Sequence, residues 1–535
     1  MKNTNTAILE LSNIGIRLPL GADREWAVRG VSFSIFPQQT LCLVGESGSG
    51  KSVIAQAIMG MLPAALPLKE GKIDLLGKIT PEQRSPEFNL LRSVKMGMIF
   101  QDAVASLNPI KRVGHQLEEI LLVHGVSRKE RKPRVLKMLR DVLLPNPESS
   151  YNSYPHEMSG GQAQRIVIAG ALLLNPALLI ADEPTTALDV TTQAEILELI
   201  TKLKSKFDTS VLFITHDFGV VSDIADQIAV MKDGEIVEQG SAQNILQKPQ
   251  HEYTQKLLKA AILDASKEKL EETEEILKAD AISLTYKKGF LFNQREFKAV
   301  QQVSLSLKAG STLAVVGESG SGKSSLAKCL LRLESIDAGR IFYRGKDMTN
   351  QKGVLLKDFR SKVQVVLQDP FGALDPRFKI IDAIAEGPII HGSSREKANL
   401  RALEMLSLVG LTPQSAERYP QEFSGGQRQR ICIARALIMR PEILIADEAV
   451  SALDVSIQVK ILDLFEDLQK RLGFAMIFIT HDLRVAAAIS DSVIVMKGGK
   501  VVESGPTPSV FKNPQAPYTK MLLASAPGSG VGEVK

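Results

Sequence analysis

The sequence predicts an α/β protein built twice over, as two tandem phosphate-loop nucleotide-binding domains, each with a mixed β core, a small antiparallel β layer and a helical subdomain. Two observations carry this. The octapeptide Gly45-Glu46-Ser47-Gly48-Ser49-Gly50-Lys51-Ser52 obeys the pattern G-x-x-x-x-G-K-[ST], and it recurs unchanged as Gly317-Glu318-Ser319-Gly320-Ser321-Gly322-Lys323-Ser324. The other motifs of the chain also come in pairs, in the same order in each half.

The glycines of such a loop let backbone N–H groups turn inward around phosphate oxygens, at a helix N-terminus whose dipole also favours negative charge. Lys51 and Lys323 would reach the β- and γ-phosphates as point charges, and Ser52 and Ser324 would each offer a hydroxyl to Mg²⁺. The pattern demands a buried strand before it and a helix after it. Thr40-Leu41-Cys42-Leu43-Val44 and Val53-Ile54-Ala55-Gln56-Ala57-Ile58 supply both, as do Thr312 to Val316 and Ser325 to Leu331 in the second half.

Bulk composition excludes several classes. Across 535 residues, 65 Lys+Arg stand against 60 Asp+Glu, so the chain has no electrostatic footprint for nucleic acid. Cys42, Cys329 and Cys432 stand apart in apolar surroundings without C-x-x-C spacing, and read as small buried hydrophobes. The first residues show no basic-then-apolar signal region, and the most apolar run, Ala169 to Ala181, is broken by Asn175-Pro176. That run is well short of the ~20 residues a membrane helix needs, so a soluble, cytoplasmic chain is expected.

In chain order, Val31-Ser32-Phe33-Ser34-Ile35 alternates with period two, as does Val303-Ser304-Leu305-Ser306-Leu307, so a half-exposed antiparallel layer precedes each nucleotide fold. Downstream of each loop an apolar strand ends in Gln101-Asp102 or Gln368-Asp369. A glutamine there could merely satisfy backbone groups, but its recurrence favours contact with Mg²⁺ or water. The stretch Val113 to Leu144 is helical in pattern, and Val135 to Leu139 reads as one packed face.

Ser159-Gly160-Gly161-Gln162 and Ser424-Gly425-Gly426-Gln427 each open a helix, and form a second anion-receptive terminus with a hydroxyl expected to point outward. Apolar strands then end in Asp182-Glu183 and Asp447-Glu448. Unbroken apolarity implies burial on both faces, as in a central parallel strand, and strand ends are where α/β proteins bind ligands. Asp182 and Asp447 would hold Mg²⁺ through water, while Glu183 and Glu448 would polarise the attacking water or act as its general base. Ala187-Leu188-Asp189 and Ala452-Leu453-Asp454 follow. Two verbatim copies of Phe-Ile-Thr-His-Asp then place His216 and His481 at strand ends, where a γ-phosphate contact is the expected role.

Phosphate loop, glutamine, Ser-Gly-Gly-Gln, Asp-Glu, Ala-Leu-Asp and histidine, in that order and in duplicate, resemble the ATP-binding-cassette ATPases over nearly the whole chain. The resemblance implies ATP and Mg²⁺ as ligands, and intramolecular head-to-tail pairing of the cassettes. One site would join Lys51, Ser52, Gln101, Asp182, Glu183 and His216 to Ser424, Gly425 and Gly426. The other would join Lys323, Ser324, Gln368, Asp447, Glu448 and His481 to Ser159, Gly160 and Gly161.

Within the family, Ser106-Leu107-Asn108-Pro109 after Gln101 is similar to the importers of dipeptides, oligopeptides and nickel. Ala373-Leu374-Asp375-Pro376, His251-Glu252-Tyr253-Thr254 and Ala516-Pro517-Tyr518-Thr519 keep looser forms of that group's motifs. The implied partners are two transmembrane permease subunits and, through them, a solute-binding protein, at the cytoplasmic face of the plasma membrane, with no nucleic acid. A soluble double-cassette ATPase of translation or DNA metabolism is the alternative. It fits less well, because the linker is short and no coiled coil or zinc hook has room between Ser52 and Ser159.

The expected domains are 1–262 and 279–526, with a charged connector at 263–278, where Glu274 and Lys278 are spaced for a helix pair, and a disordered tail at 527–535. Unequal sites are also expected. Ala163 stands where the second half has Arg428, Ala449 stands where the first has Pro184, and the family's adenine-stacking aromatic resembles Tyr286. The first-half position aligned with Tyr286 is read as Ile16, with Trp26 as a substitute.

Overall fold

The computed structural model describes residues 6–19, 21–22, 24–81, 85–186, 188–261, 273–288, 295–451 and 453–526. Most of the expected connector, the tail at 527–535, Ala187 and Ala452 lie outside the described residues. The chain divides into two compact units, one ending at Ile262 and the other running Leu263–Ala526.

In the first unit, five parallel strands and one antiparallel edge strand form a sheet in the order Glu235–Ser241, Gln227–Lys232, Thr40–Val44, Ser210–Thr215, Leu178–Asp182, Met96–Ile99. Every residue of Thr40–Val44, Leu178–Asp182 and Ser210–Thr215 is buried. Alternate side chains face opposite ways along a strand, so the two faces feed two cores. Leu41, Leu43, Leu178, Ile180, Leu212 and Ile214 pack under a four-stranded antiparallel sheet and the helix Lys51–Ile58. Cys42, Val44, Leu179, Ala181, Val211 and Phe213 pack against the helices on the other side. That second layer includes Val113–Val123, Arg128–Asp141 and Gly160–Leu172, and Val135 and Leu139 point into it, as their spacing predicts.

The second unit repeats the plan, with the order Val363–Val366, Ile443–Asp447, Ala475–Thr480, Thr312–Val316, Ser492–Lys497, Lys500–Pro506. Its antiparallel layer is led by Glu275–Lys288, which begins inside the stretch read as connector. The helix pair expected of Glu274 and Lys278 does not form there. Leu277 and Ala279 are buried across from Leu307 and Leu305, and Glu274 pairs instead with Arg344 at 3.5 Å. Alternating burial has overridden the local i,i+4 charge spacing.

Among the described residues no helix is long and apolar enough to cross a membrane. The three cysteines are buried, and burial pushes the Cys432 thiol up to about 11 and the Cys329 thiol up to about 12, which suits inert core residues.

Candidate active site

Each phosphate loop leaves a buried strand and enters its helix through a glycine in the left-handed region, Gly50 at φ 104° and Gly322 at φ 103°, with no side chain capping the first turn. With no side chain capping it, that turn can receive an anion at its N-terminus. Lys51 Nζ folds back over the loop to donate to the carbonyls of Gly45 (2.6 Å) and Glu46 (2.8 Å), and Lys323 does the same to Gly317 and Glu318, both at 2.8 Å. A Cβ added at Gly45 or Gly317 would lie 2.3 Å from the carbonyl oxygen of Met231 or Met496, so the neighbouring strand end presses on the loop. Ser49 Oγ and Ser321 Oγ are buried without a hydrogen-bond partner. A helix start without a side-chain cap, an ammonium and an orphan hydroxyl form a cradle that fits a polyphosphate.

The acids arrive beside it. Ser52 Oγ donates to Asp182 Oδ1 at 3.1 Å, and Ser324 Oγ to Asp447 Oδ1 at 3.2 Å. Burial raises both aspartate carboxyls above their ordinary range, against the serine hydrogen bonds and with the charge of the next glutamate adding to it. No group of three or more His, Cys, Asp or Glu arranged for a metal exists among the described residues. One carboxylate and one hydroxyl per site still fit Mg²⁺, a hard cation that keeps most of its waters and borrows phosphate oxygens.

Glu183 and Glu448 occupy left-handed backbone, at φ 47° and 48°, a conformation that costs a non-glycine residue about 1–3 kcal/mol. Their N–H groups donate to the Ile214 and Ile479 carbonyls at 2.9 Å, which holds the turn. The Glu183 carboxylate is surrounded by His216 Nδ1 at 3.1 Å, Gln101 Nε2 at 2.9 Å and Thr186 Oγ1 at 3.0 Å. At Glu448, Gln368 Nε2 lies at 2.9 Å and His481 Nδ1 at 3.5 Å, while Ser451 Oγ donates to the Glu448 backbone carbonyl instead. Burial works against ionisation of both glutamates. The paired histidines and the loop lysines outweigh it, so both carboxyls lie below their usual value.

The two glutamines, expected near Mg²⁺, thus give their amide nitrogens to the glutamates and leave their carbonyl oxygens for the metal or water. Ser159 and Ser424 also differ from expectation. Each hydroxyl turns inward to accept from the N–H of Gln162 (3.3 Å) or Gln427 (3.4 Å), while the glutamine reaches back to the serine N–H. A glutamine at the third helical position closes a capping box, and this local pairing outcompetes an outward rotamer.

Ile16 is not the counterpart of Tyr286. Asn13 and Ala281 both have positive φ and mark the same bulge, after which Ile16 faces Val28 as Leu284 faces Val300. Counting on, Leu18 stands where the second half has Tyr286. Four more residues separate Leu284 from Val300 than separate Ile16 from Val28, so an ungapped reading across both strands cannot align the two halves. Sequence reasoning also passed over Arg24, whose guanidinium donates to the Gly48 carbonyl, and the hydroxyls of Tyr253 and Tyr518, which accept from the loop N–H groups of Glu46 (3.1 Å) and Glu318 (3.3 Å). The duplicated Tyr-Thr pair was the available signal.

The family model described as ABC transporter matches residues 28–186 and 300–451, and that described as oligopeptide/dipeptide transporter, C-terminal region, matches 237–301 and 502–532. The chain is 44% identical over 98% of its length to the peptidoglycan transport ATP-binding protein YejF of Agrobacterium fabrum, covering 98% of that protein. It is 43% identical over 97% of its length to the glutathione import ATP-binding protein GsiA of Escherichia coli O6:H1, covering 89% of that protein. A solved dimeric post-hydrolysis structure of the ATP-binding cassette MJ0796 with ADP and Pi aligns at 29% identity and a TM-score of 0.40, covering 43% of this chain and 99% of that one. With the family model matched in both halves and relatives aligned nearly end to end, the chain belongs to the ABC transporter family, as an ATP-hydrolysing subunit carrying two ATP-binding cassettes.

Proposed function

We propose that this subunit powers import of small peptides or peptide-derived solutes, bound at the cytoplasmic face of the plasma membrane to two permease subunits that receive solute from a binding protein. The observation that carries the reading is the oligopeptide/dipeptide transporter region matched after both cassettes. Relatives named for peptidoglycan transport and glutathione import share peptide chemistry in their cargo. A translation or DNA-metabolism role has no such support.

In each cassette the loop N–H groups and Lys51 or Lys323 bind the phosphates. Ser52 with Asp182 and Gln101, and Ser324 with Asp447 and Gln368, are placed to hold Mg²⁺, which when bound neutralises phosphate charge. Glu183 or Glu448 accepts the proton of the attacking water, held in line by its glutamine. His216 or His481 fixes that carboxylate and faces the γ-phosphate. Head-to-tail pairing then brings Ser424, Gly425 and Gly426 to the Lys51 site, and Ser159, Gly160 and Gly161 to the Lys323 site. Covalent fusion raises the effective concentration for that closure.

Beyond Gln101 a groove of 410 Å³, lined by Phe100, Leu107, Asn108, Lys111, Ile120 and His124, is sized for a short cytoplasmic helix of a permease. Cysteines placed at Ala105 and Ala373 should cross-link to two integral membrane proteins, and loss of the gene should abolish uptake of short peptides. Capture of soluble proteins alone, or unaltered peptide uptake, would overturn the importer reading while leaving the ATPase intact.

A further inference from the structure

The last helix of each cassette carries a buried tyrosine that reaches the phosphate loop. Tyr253 on Glu252–Ala261 and Tyr518 on Pro517–Ser525 are 8% and 7% exposed, and their hydroxyls accept from the second residue of the loop, Glu46 or Glu318. A lysine lies over each ring. Lys232 Nζ lies 5.4 Å from the Tyr253 ring centre and Lys497 Nζ 4.4 Å from that of Tyr518.

The helix start is fixed as well. Glu238 accepts from the N–H groups of Gln250 (2.7 Å) and His251 (3.1 Å), and Glu503 from those of Gln515 (2.7 Å) and Ala516 (3.0 Å). The same carboxylate, helix and hydroxyl recur in two sequences that differ elsewhere along the segment. Both lie in the matched transporter C-terminal region rather than in the stretch matched by the cassette model.

We infer that Tyr253 and Tyr518 are positioning residues for nucleotide binding: each hydroxyl takes the loop's second N–H out of the phosphate cradle and holds the loop edge in its open, receptive curve. The C-terminal region of each cassette is thereby mechanically joined to the nucleotide, and in the first cassette the joined helix leads directly to the connector. The proposal rests on the ATPase assignment and not on the identity of the cargo.

The test uses the full chain with one site silenced. In a Lys323→Ala background, Tyr253→Phe removes the hydroxyl and leaves the Glu46 N–H without a partner. The loss of one net hydrogen bond predicts ATP binding weakened about 3–10-fold, seen as a raised KM with kcat little changed. Tyr518→Phe in a Lys51→Ala background should behave alike. Glu46→Pro deletes the donor, so Tyr253→Phe added to it should cost no further affinity.

A change in melting temperature with unchanged ATP affinity would mean the tyrosines only brace the helix, and overturns the proposal. So would additive losses in the Glu46→Pro cycle. If the proline chain fails to fold, the direct affinity comparison of the two phenylalanine variants still decides. Abolished hydrolysis in both single-site backgrounds would instead bear on the assigned chemistry, and binding of a fluorescent ATP analogue reads the loop independently of turnover.

Discussion

Arg428 lays its guanidinium over the ring of Phe371, 3.8 Å from the ring centre, while its Nε donates to the Pro420 carbonyl at 2.7 Å. The start of the helix Gly425–Leu437 is thereby tied to Pro370–Ala373, the turn just after Gln368. In the first cassette the same places hold Ala163, fully buried, and Val104, half exposed, so the tie is absent there. A cation–π contact at an accessible site is worth about 0.5–1 kcal/mol. Arg428→Ala should therefore speed amide exchange at Ala373, whose N–H donates to the Asp369 carbonyl, by about 2–5-fold. Phe371→Leu should do the same, and unaltered exchange in both variants would show the stack to be idle.

Glu183 and Glu448 are assigned the proton of the attacking water. Replacing both with glutamine keeps their volume and their hydrogen bonds to Gln101 and Gln368 but removes the base. ATP binding should persist while turnover falls about 10²–10⁴-fold. Hydrolysis at the wild-type rate in Glu183→Gln/Glu448→Gln would remove the assigned role. Both positions hold left-handed backbone, so each variant inherits the strain and thermal stability should change little.

His481 gives a pH signature. Burial pushes its imidazole toward the neutral form, but Glu448 and Asp482 outweigh this, and its pKa lies above the usual value. A raised folded value means the stabilisation is complete below the ordinary imidazole pKa of about 6.5 and is lost as pH rises through the folded value. Glu448, held below its ordinary range, contributes above the usual carboxylate value and loses that contribution as pH falls through its lowered value. The ion pair is therefore strongest from mildly acid to near-neutral pH. NMR titration of His481 should show an elevated pKa that drops in Glu448→Gln. An unmoved titration would mean the 3.5 Å pair is not an ion pair.

Much of this was legible in the sequence because it is local. Apolar strands ending in acids, glycine loops and capped helices each specify their own geometry, and repetition removed the ambiguity of single motifs. Three features were not legible. The left-handed φ of Glu183 and Glu448 is imposed by the hydrogen bonds to Ile214 and Ile479 on a neighbouring strand, which no local pattern reveals. The correspondence of Leu18 with Tyr286 emerges only from strand pairing, because the link between the two strands differs in length in the two halves. The contacts of Tyr253 and Tyr518 join residues at opposite ends of each cassette, so only the fold brings them together.

The corrected register sharpens the expectation of unequal sites. Tyr286 pairs across the sheet with Phe297 and is partly buried, whereas its counterpart Leu18 offers no π face. Loss of a base–aromatic stack costs about 1–3 kcal/mol, so the Lys51 site should bind ATP more weakly than the Lys323 site. Trp26 bears on this directly. It pairs with Arg17, the residue after Ile16, whose own partner is Val28, and the register shift between these two pairs breaks the simple alternation along the strand. Its own ring presses on Gly15, where a Cβ would lie 3.1 Å from Trp26 Cζ3. Trp26 is the one tryptophan of the chain, so its fluorescence reports on the first cassette alone. With Lys323→Ala and Lys51→Ala chains compared, the site lacking Tyr286 should show the lower affinity, and Tyr286→Leu should erase the difference. If ATP quenches Trp26 and Trp26→Leu then weakens the Lys51 site further, the tryptophan stacks in place of the missing tyrosine. Equal affinities with no response from Trp26 would end the stacking account for both sites.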